Sequence, residues 1–293
     1  MDTPISTIAL ASLSTLRRLS IAVWNFDVGS SCVGLTGLRS VHHLTLRHCR
    51  FPTFRSFADF VLSFPNLESL DVGDISWETG LDETHPLEDN EVPVKLRKIS
   101  LGPVTDLQTV ADWLAACRVQ KTVTGLRVRC TTEQDVIALN TLCAAIGDVF
   151  VDLELDWLLR KTSPTFALPT RFPPSQCSAI RSLSLKFPIY DGCHLTWLTT
   201  VLTSTLESAV LEVISMEVRL LGDLDAIEWR ALRVAFNSKP ARTLKQVKLK
   251  LLVWPTAKLP SSIGSSRNHS LESYIHGHLP ELSSRGILHI IAR

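Results

Sequence analysis

The sequence predicts an α/β solenoid, in which strand-then-helix units stack into one curved parallel sheet with strands on the concave side and helices on the convex side. Three observations predict it. A short apolar motif recurs along the chain. Between copies the apolar period changes from that of a strand to that of a helix. The composition, 45% hydrophobic and 20% charged, is that of a folded protein.

The motif is apolar, two variable residues, apolar, one variable, apolar. Its clearest copy contains Val41, Leu44, Leu46, Cys49 and Phe51 and fits the leucine-rich template L-x-x-L-x-L-x-x-N/C-x-L at every fixed position. Leu16, Leu19 and Ile21 form an opening copy. Later copies are Leu67/Leu70/Val72/Ile75/Trp77, Leu96/Ile99/Leu101/Val104, Val123/Leu126/Val128/Cys130, Phe150/Leu153/Leu155/Trp157 and Ile180/Leu183/Leu185/Phe187. Weaker ones are Leu206/Ala209/Leu211/Val213 and Leu244/Val247/Leu249/Leu251, with Leu288 and Ile290 closing the series. The middle positions run Leu19, Leu44, Leu70, Ile99, Leu126, Leu153, Leu183, Ala209, Val247, separated by 25 to 30 residues before a final step of 38. Most steps lie close to the ~20–29 residues of such repeats, and the last implies an insertion.

Alternate residues of a strand share a face, so Leu44/Leu46, Leu153/Leu155 and Leu183/Leu185 point inward together. Burying each leucine contributes roughly 1.5–3 kcal/mol. One strand cannot cover both, so each unit needs neighbours. A repeat array can therefore exceed the ~250–300 residues at which single cores stop growing, and this chain has 293.

Helical stripes follow the motifs: Phe54/Phe57/Val61/Phe64, Leu107/Val110/Leu114/Cys117, Val136/Leu139/Cys143/Ile146, Leu195/Leu198/Leu202 and Leu224/Ile227/Ala231/Val234. Residues 131–134 read as a capping box opening the third stripe. Strand, helix and strand in one direction require parallel strands joined by right-handed crossovers. Residues 79–94, 161–176 and 255–270 read as surface loops, because the repeat resumes after each. The expected organisation is one solenoid over residues 1–293, with about nine to ten irregular repeats.

A net charge of +1 supplies no strong field for nucleic acid or an anionic membrane. No uninterrupted apolar stretch reaches ~18 residues, and the first residues do not look like a signal peptide. The expected location is intracellular, cytoplasmic or nuclear. The seven cysteines, Cys32, Cys49, Cys117, Cys130, Cys143, Cys177 and Cys193, form no C-x-x-C pair. They read as small buried hydrophobes of a reducing compartment, without a zinc site. Phosphate-loop, dinucleotide, zinc-protease and nucleophile-elbow motifs are absent, and Gly29, Gly34 and Gly37 precede no lysine clamp. The expectation is a protein that is not an enzyme and takes no metal or cofactor.

The residues alternating with the leucines are the candidate partner-binding surface: His43, Arg47, Arg127, Arg129, Asp152, Glu154, Asp156, Lys186, Lys248 and Lys250. Thr45 and Ser184 share the same alternation. Asp152, Glu154 and Asp156 lie on one side of one strand, but ~6.5–7 Å between same-face residues is too far for three carboxylates to wrap one ion. Lateral charge pairing fits better, with Arg127 beside Glu154 and Asp156 between Arg129 and Lys186. Such pairs contribute roughly 0.2–1 kcal/mol each, and the same ladder could dock a charged partner segment. His42, His43 and His48 fall on different sides of their strand and turn and read as solvated. Trp77 and Trp157 at strand ends, and Trp113, Trp197 and Trp229 in helices, read as packing residues.

The chain also resembles the leucine-rich region of fungal F-box proteins of the type expanded in mushroom-forming fungi. The likeness is carried by residues 41–54 with the helix after them and residues 64–70, by Glu228-Trp229-Arg230-Ala231-Leu232, and by residues 279–288. The resemblance implies a substrate receptor whose repeats present a target protein to a Skp–cullin–F-box ubiquitin ligase. An F-box opens with leucine-proline and short apolar helices, and residues 1–13 are too few to hold one. The expectation is therefore either a fragment of a longer receptor or a stand-alone repeat protein. The ligase adaptor is a partner only if an F-box lies upstream.

Overall fold

The computed structural model describes residues 15–26, 38–78, 95–117, 119, 122–146, 149–158, 177–191, 195–208, 210–260 and 267–292. Residues 1–13, the glycines Gly29, Gly34 and Gly37, Cys32, Cys193 and Ala209 lie outside them, as do loops 79–94 and 161–176 and part of 255–270. The described residues are mixed α/β, with ten parallel strands in one sheet, two short strands in a second, and helices among them. It divides into two compact units, Met1–Val128 and Arg129–Arg293.

The first unit contains β1 (Arg18–Ala22), β2 (His43–Arg47), the short β3 (Arg50–Phe51), helix α1 (Phe54–Leu62), β4 (Ser69–Gly73), the short β5 (Ser76–Trp77), β6 (Lys98–Leu101) and helix α2 (Leu107–Ala116). Strand β7 (Gly125–Cys130) begins in this unit. The main strands pair in the open order β1-β2-β4-β6-β7, all parallel. Register aligns Leu19, Leu44, Leu70, Ile99 and Leu126 in one row and Ile21, Leu46, Val72, Leu101 and Val128 in the next. From β2 to β7 both rows are buried, while β1, at the edge, keeps its pair half-buried. β3 and β5 make a second small parallel ladder that seats Phe51 and Trp77 over the helices. Phe26 stacks on Phe51, while Phe57 and Trp113 meet edge to face.

A local regularity ends β1, β2 and β4, the first three strands of the main sheet. Val23, His48 and Asp74 each directly follow a strand and each adopts a left-handed backbone, with φ of 55°, 51° and 55°. Because Ala22, Arg47 and Gly73 are in register, the reversal occurs at the same place in each unit. Asp tolerates this conformation, whereas a β-branched residue such as Val23 is strained in it.

The second unit contains helix α3 (Glu133–Ile146), β8 (Asp152–Trp157), β9 (Ser182–Ile189), helix α4 (Thr196–Ser208), β10 (Val213–Leu220), helix α5 (Trp229–Asn237), β11 (Gln246–Val253), helices α6 (Arg267–His278) and α7 (Pro280–Ser284), and β12 (Leu288–Ala292). Strands β8 to β12 pair in chain order, all parallel. The row Leu153–Leu183–Ile214–Val247–Leu288 is buried throughout. Leu155, Leu185, Met216 and Leu249 form the row beside it.

Three details differ from the sequence reading. Ile214, not Ala209, is the register partner of Leu183 and Val247, so the steps around it are 31 and 33 residues and neither is exceptional. Leu206 belongs to α4 and Leu211 precedes β10; both are buried, which is why they mimicked a motif. The stripe starting at Leu224 is not one helix. A 3-10 turn, Leu224–Ala226, precedes α5, and α5 buries Trp229, Leu232, Ala235 and Phe236 while Val234 is exposed. The cap of α3 is shifted by one residue: the Thr132 hydroxyl accepts from Asp135 N, and the Asp135 carboxylate accepts from Thr131 N and Thr132 N. This reciprocal pair satisfies N–H groups that a helix start leaves open.

Candidate functional site

The strand alternation leaves each unit with a polar face opposite its leucine rows. In the first unit this face carries His43 and Arg47 of β2, both partly exposed. Arg47 donates to Asp71 across the β2–β4 pair at 2.6 Å. Gly73, in register with Arg47, makes room for it, since a Cβ there would collide with the guanidinium. Arg127 of β7 is half-buried on the same alternation.

The second unit gathers more charge. Arg129, the first residue of this unit, donates from Nε to Asp156 Oδ2 at 2.9 Å. Arg219 of β10 approaches the other oxygen of the same carboxylate at 3.7 Å. Lys186 of β9 lies 2.6 Å from Glu154 of β8, and Lys250 of β11 donates to Glu217 of β10 at 2.8 Å. That hydrogen bond holds the Glu217 carboxyl below the ordinary carboxylate range, and the charges of Lys250, Lys186 and Arg219 act in the same direction. Asp152 and Lys248 are exposed. In register, Glu154, Ser184, Ser215 and Lys248 make one row, and Asp156, Lys186, Glu217 and Lys250 the next.

The three carboxylates of β8 therefore have three environments. Asp152 is exposed, Glu154 half-buried, and Asp156 only 1% exposed. Burial of Asp156 departs from the open docking position expected of it. Its ion partners differ as well, because Lys186 turns to Glu154 and Arg219 takes its place. Sequence spacing could not find Arg219, which reaches Asp156 diagonally, two residues beyond the register partner of Lys186. The residue of β9 beside Arg219 is Pro188.

No family model matches the chain, and no curated protein is significantly similar to it.

Other sequence candidates fall in packing roles. Trp157 stacks on Trp197 with centroids 4.6 Å apart and planes at 9°, and Phe187 meets Trp197 edge-on. Cys49, Cys130, Cys143 and Cys177 are buried thiols outside any disulfide. Burial pushes the Cys117 thiol up to about 11, and burial also raises Cys130 and Cys49. The pairing of Cys143 with Cys177, together with burial, raises Cys143 too. Raised thiols are poor nucleophiles. His42 bonds Ser40 O, and His48 lies 3.5 Å from Asp74. Among the described residues, no three His, Cys, Asp or Glu side chains are grouped to hold a metal, and no helix is long and apolar enough to cross a membrane.

Proposed function

We propose that the chain is a protein-interaction module, a leucine-rich-repeat solenoid that docks a segment of another protein on the polar face of its strands. One observation carries this reading. The face of the second unit combines a dense set of half-exposed charges with the short side chains of Ser184 and Ser215, both half-buried in a central row. Parallel sheets ordinarily have both faces covered. Here one side holds the leucine rows, and the other is polar and partly exposed at alternate positions. Rigid strands that present spaced charges make a preorganised surface, which lowers the cost of ordering on binding.

The resemblance to fungal F-box proteins supports a narrower role, target recognition for a ubiquitin ligase, with adaptor binding dependent on an F-box outside this sequence. A stand-alone scaffold without ligase function is the alternative. Co-purification separates them: under the first role the full-length locus binds the ligase adaptor, and under the second it does not.

The docking reading is tested by peptide-display selection on the intact chain, counter-screened with Ser184→Tyr/Ser215→Tyr. Tyrosine suits a strand and fills the serine row without removing an ion pair. Enriched peptides should bind the unaltered chain and lose at least about tenfold in affinity on the double variant, a change of about 1.4 kcal/mol. Equal binding to both proteins would place recognition elsewhere.

A further inference from the structure

We propose that Arg129, Asp156 and Arg219 form a carboxylate-binding subsite, so that the segment docking on this face is an acidic peptide. The inference rests on the docking reading given above and names the chemistry of the partner.

Asp156 is almost wholly buried, yet the side chains of Arg129 and Arg219 keep 34% and 32% of their surface. Arg129 spends a single donor, Nε, on the carboxylate. Arg219 stands at 3.7 Å from Oδ1, beyond hydrogen-bond distance, and Oδ1 is buried without a hydrogen-bond partner. A guanidinium has five N–H donors in a planar fork. Among the described residues, the terminal nitrogens of Arg129 and the whole fork of Arg219 therefore have no protein acceptor. Asp156 holds the fork of Arg129 from below by one hydrogen bond and faces that of Arg219 across 3.7 Å, and the outer sides of both arginines remain partly open.

Charge points the same way. One carboxylate offsets one of two guanidinium charges, leaving a surplus of one unit beside a buried group. A second carboxylate, arriving from solvent, would cancel it and accept bidentate charge-assisted hydrogen bonds. The surroundings select the valence. Glu154 and Glu217 already hold Lys186 and Lys250, so the nearest lysines are spent and two further carboxylates stand nearby. With those two pairs neutral, the cluster keeps one surplus positive charge, which a monoanionic carboxylate matches and a dianionic phosphate exceeds by one unit. Lys248 lies exposed on β11, at the end of the row that runs from Glu154 through Ser184 and Ser215, and makes no ion pair among the described residues. Arg219 is in register with Leu252, four residues beyond Lys248 on the neighbouring strand, a separation of ~14 Å that an extended segment covers in about four residues. A peptide with acids spaced along it can meet both positive positions.

The test uses the intact chain and a fluorescein-labelled peptide of alternating Ser and Glu, with the Ser/Gln version as control, read by fluorescence anisotropy. The Glu peptide should bind at least about tenfold more tightly, as expected for hydrogen bonds between charged groups. Arg219→Gln should lose most of that preference, with the urea midpoint unchanged because its contact to Asp156 is long. Arg219→Lys, which keeps the charge and loses the fork, should fall between them. Acetate should compete at least as well as inorganic phosphate at equal concentration. Equal binding of the Glu and Gln peptides, full affinity in both Arg219 variants, or preferential displacement by phosphate would each overturn the carboxylate subsite. If display selection yields peptides sensitive to the serine-row variant while the Glu peptide fails, this inference falls and the docking reading stands.

Discussion

Leu185→Ala measures how strongly the strand alternation separates an interior from a binding surface. Leu185 is 1% exposed, and its register partners are Leu155 on one side and Met216 on the other. Truncation deletes buried carbon and leaves a cavity walled by paired strands, which cannot collapse without breaking the ladder. Leucine-to-alanine changes in cores cost about 2–5 kcal/mol, and a site braced on both sides belongs in the upper half of that range. Ser184, one residue earlier, points to the polar face, and Ser184→Ala should cost less than about 0.5 kcal/mol. Urea unfolding followed through the stacked Trp157–Trp197 pair reports on this unit. The expected result is a several-fold larger midpoint shift for Leu185→Ala than for Ser184→Ala. Similar shifts for the two would refute the facing assigned to β9, and with it the surface proposed for docking.

Asp156→Asn should destabilise the second unit by about 3 kcal/mol in the same assay, toward the lower end for a broken buried ion pair because both arginines reach solvent. Lys245→Ala, which removes only an exposed partner of Glu212, should leave the urea midpoint almost unchanged. Glu217 has a folded-state carboxyl held below its unfolded value, so its contribution is present above the ordinary carboxylate value of about 4.3 and is lost as pH falls through the folded value. The stability difference between the unaltered chain and Glu217→Gln should hold steady near pH 6 and shrink in more acid urea titrations. Val23→Asn should stabilise the first unit by about 1 kcal/mol, seen as a higher urea midpoint, because asparagine tolerates the left-handed backbone that strains valine, and Val23 is largely exposed.

The strands and their inward rows were legible because a period of two is written directly in pairs such as Leu44/Leu46 and Leu183/Leu185. The helices after β3, β6 and β7 were legible from their 3.6-residue stripes. Legibility failed where apolar residues outside strands copied the motif. Leu206 and Leu211 are as buried as strand leucines, but one ends a helix and the other enters a strand, so the register was placed too early and Ile214 was missed. α5 was misplaced for a related reason. Leu224 and Ile227 are buried at helical spacing although a 3-10 turn separates them from the helix that starts at Trp229. On the candidate surface, lateral neighbours such as Glu154 and Lys186 follow from aligning repeats. The reach of Arg219 to Asp156 runs diagonally across β9 on a long side chain, and strand alignment encodes only directly opposite neighbours.

Hydrogen exchange on the intact chain, with and without a display-selected peptide at saturating concentration, tests the interaction surface most directly. Bound peptide should slow exchange in β8 to β11 around Glu154, Ser184, Ser215 and Lys248, and leave the outer sides of α4 and α5 unchanged. Slowing confined to those helices, around Thr203 and Val234, would contradict the assignment of the polar strand face as the place where a partner binds.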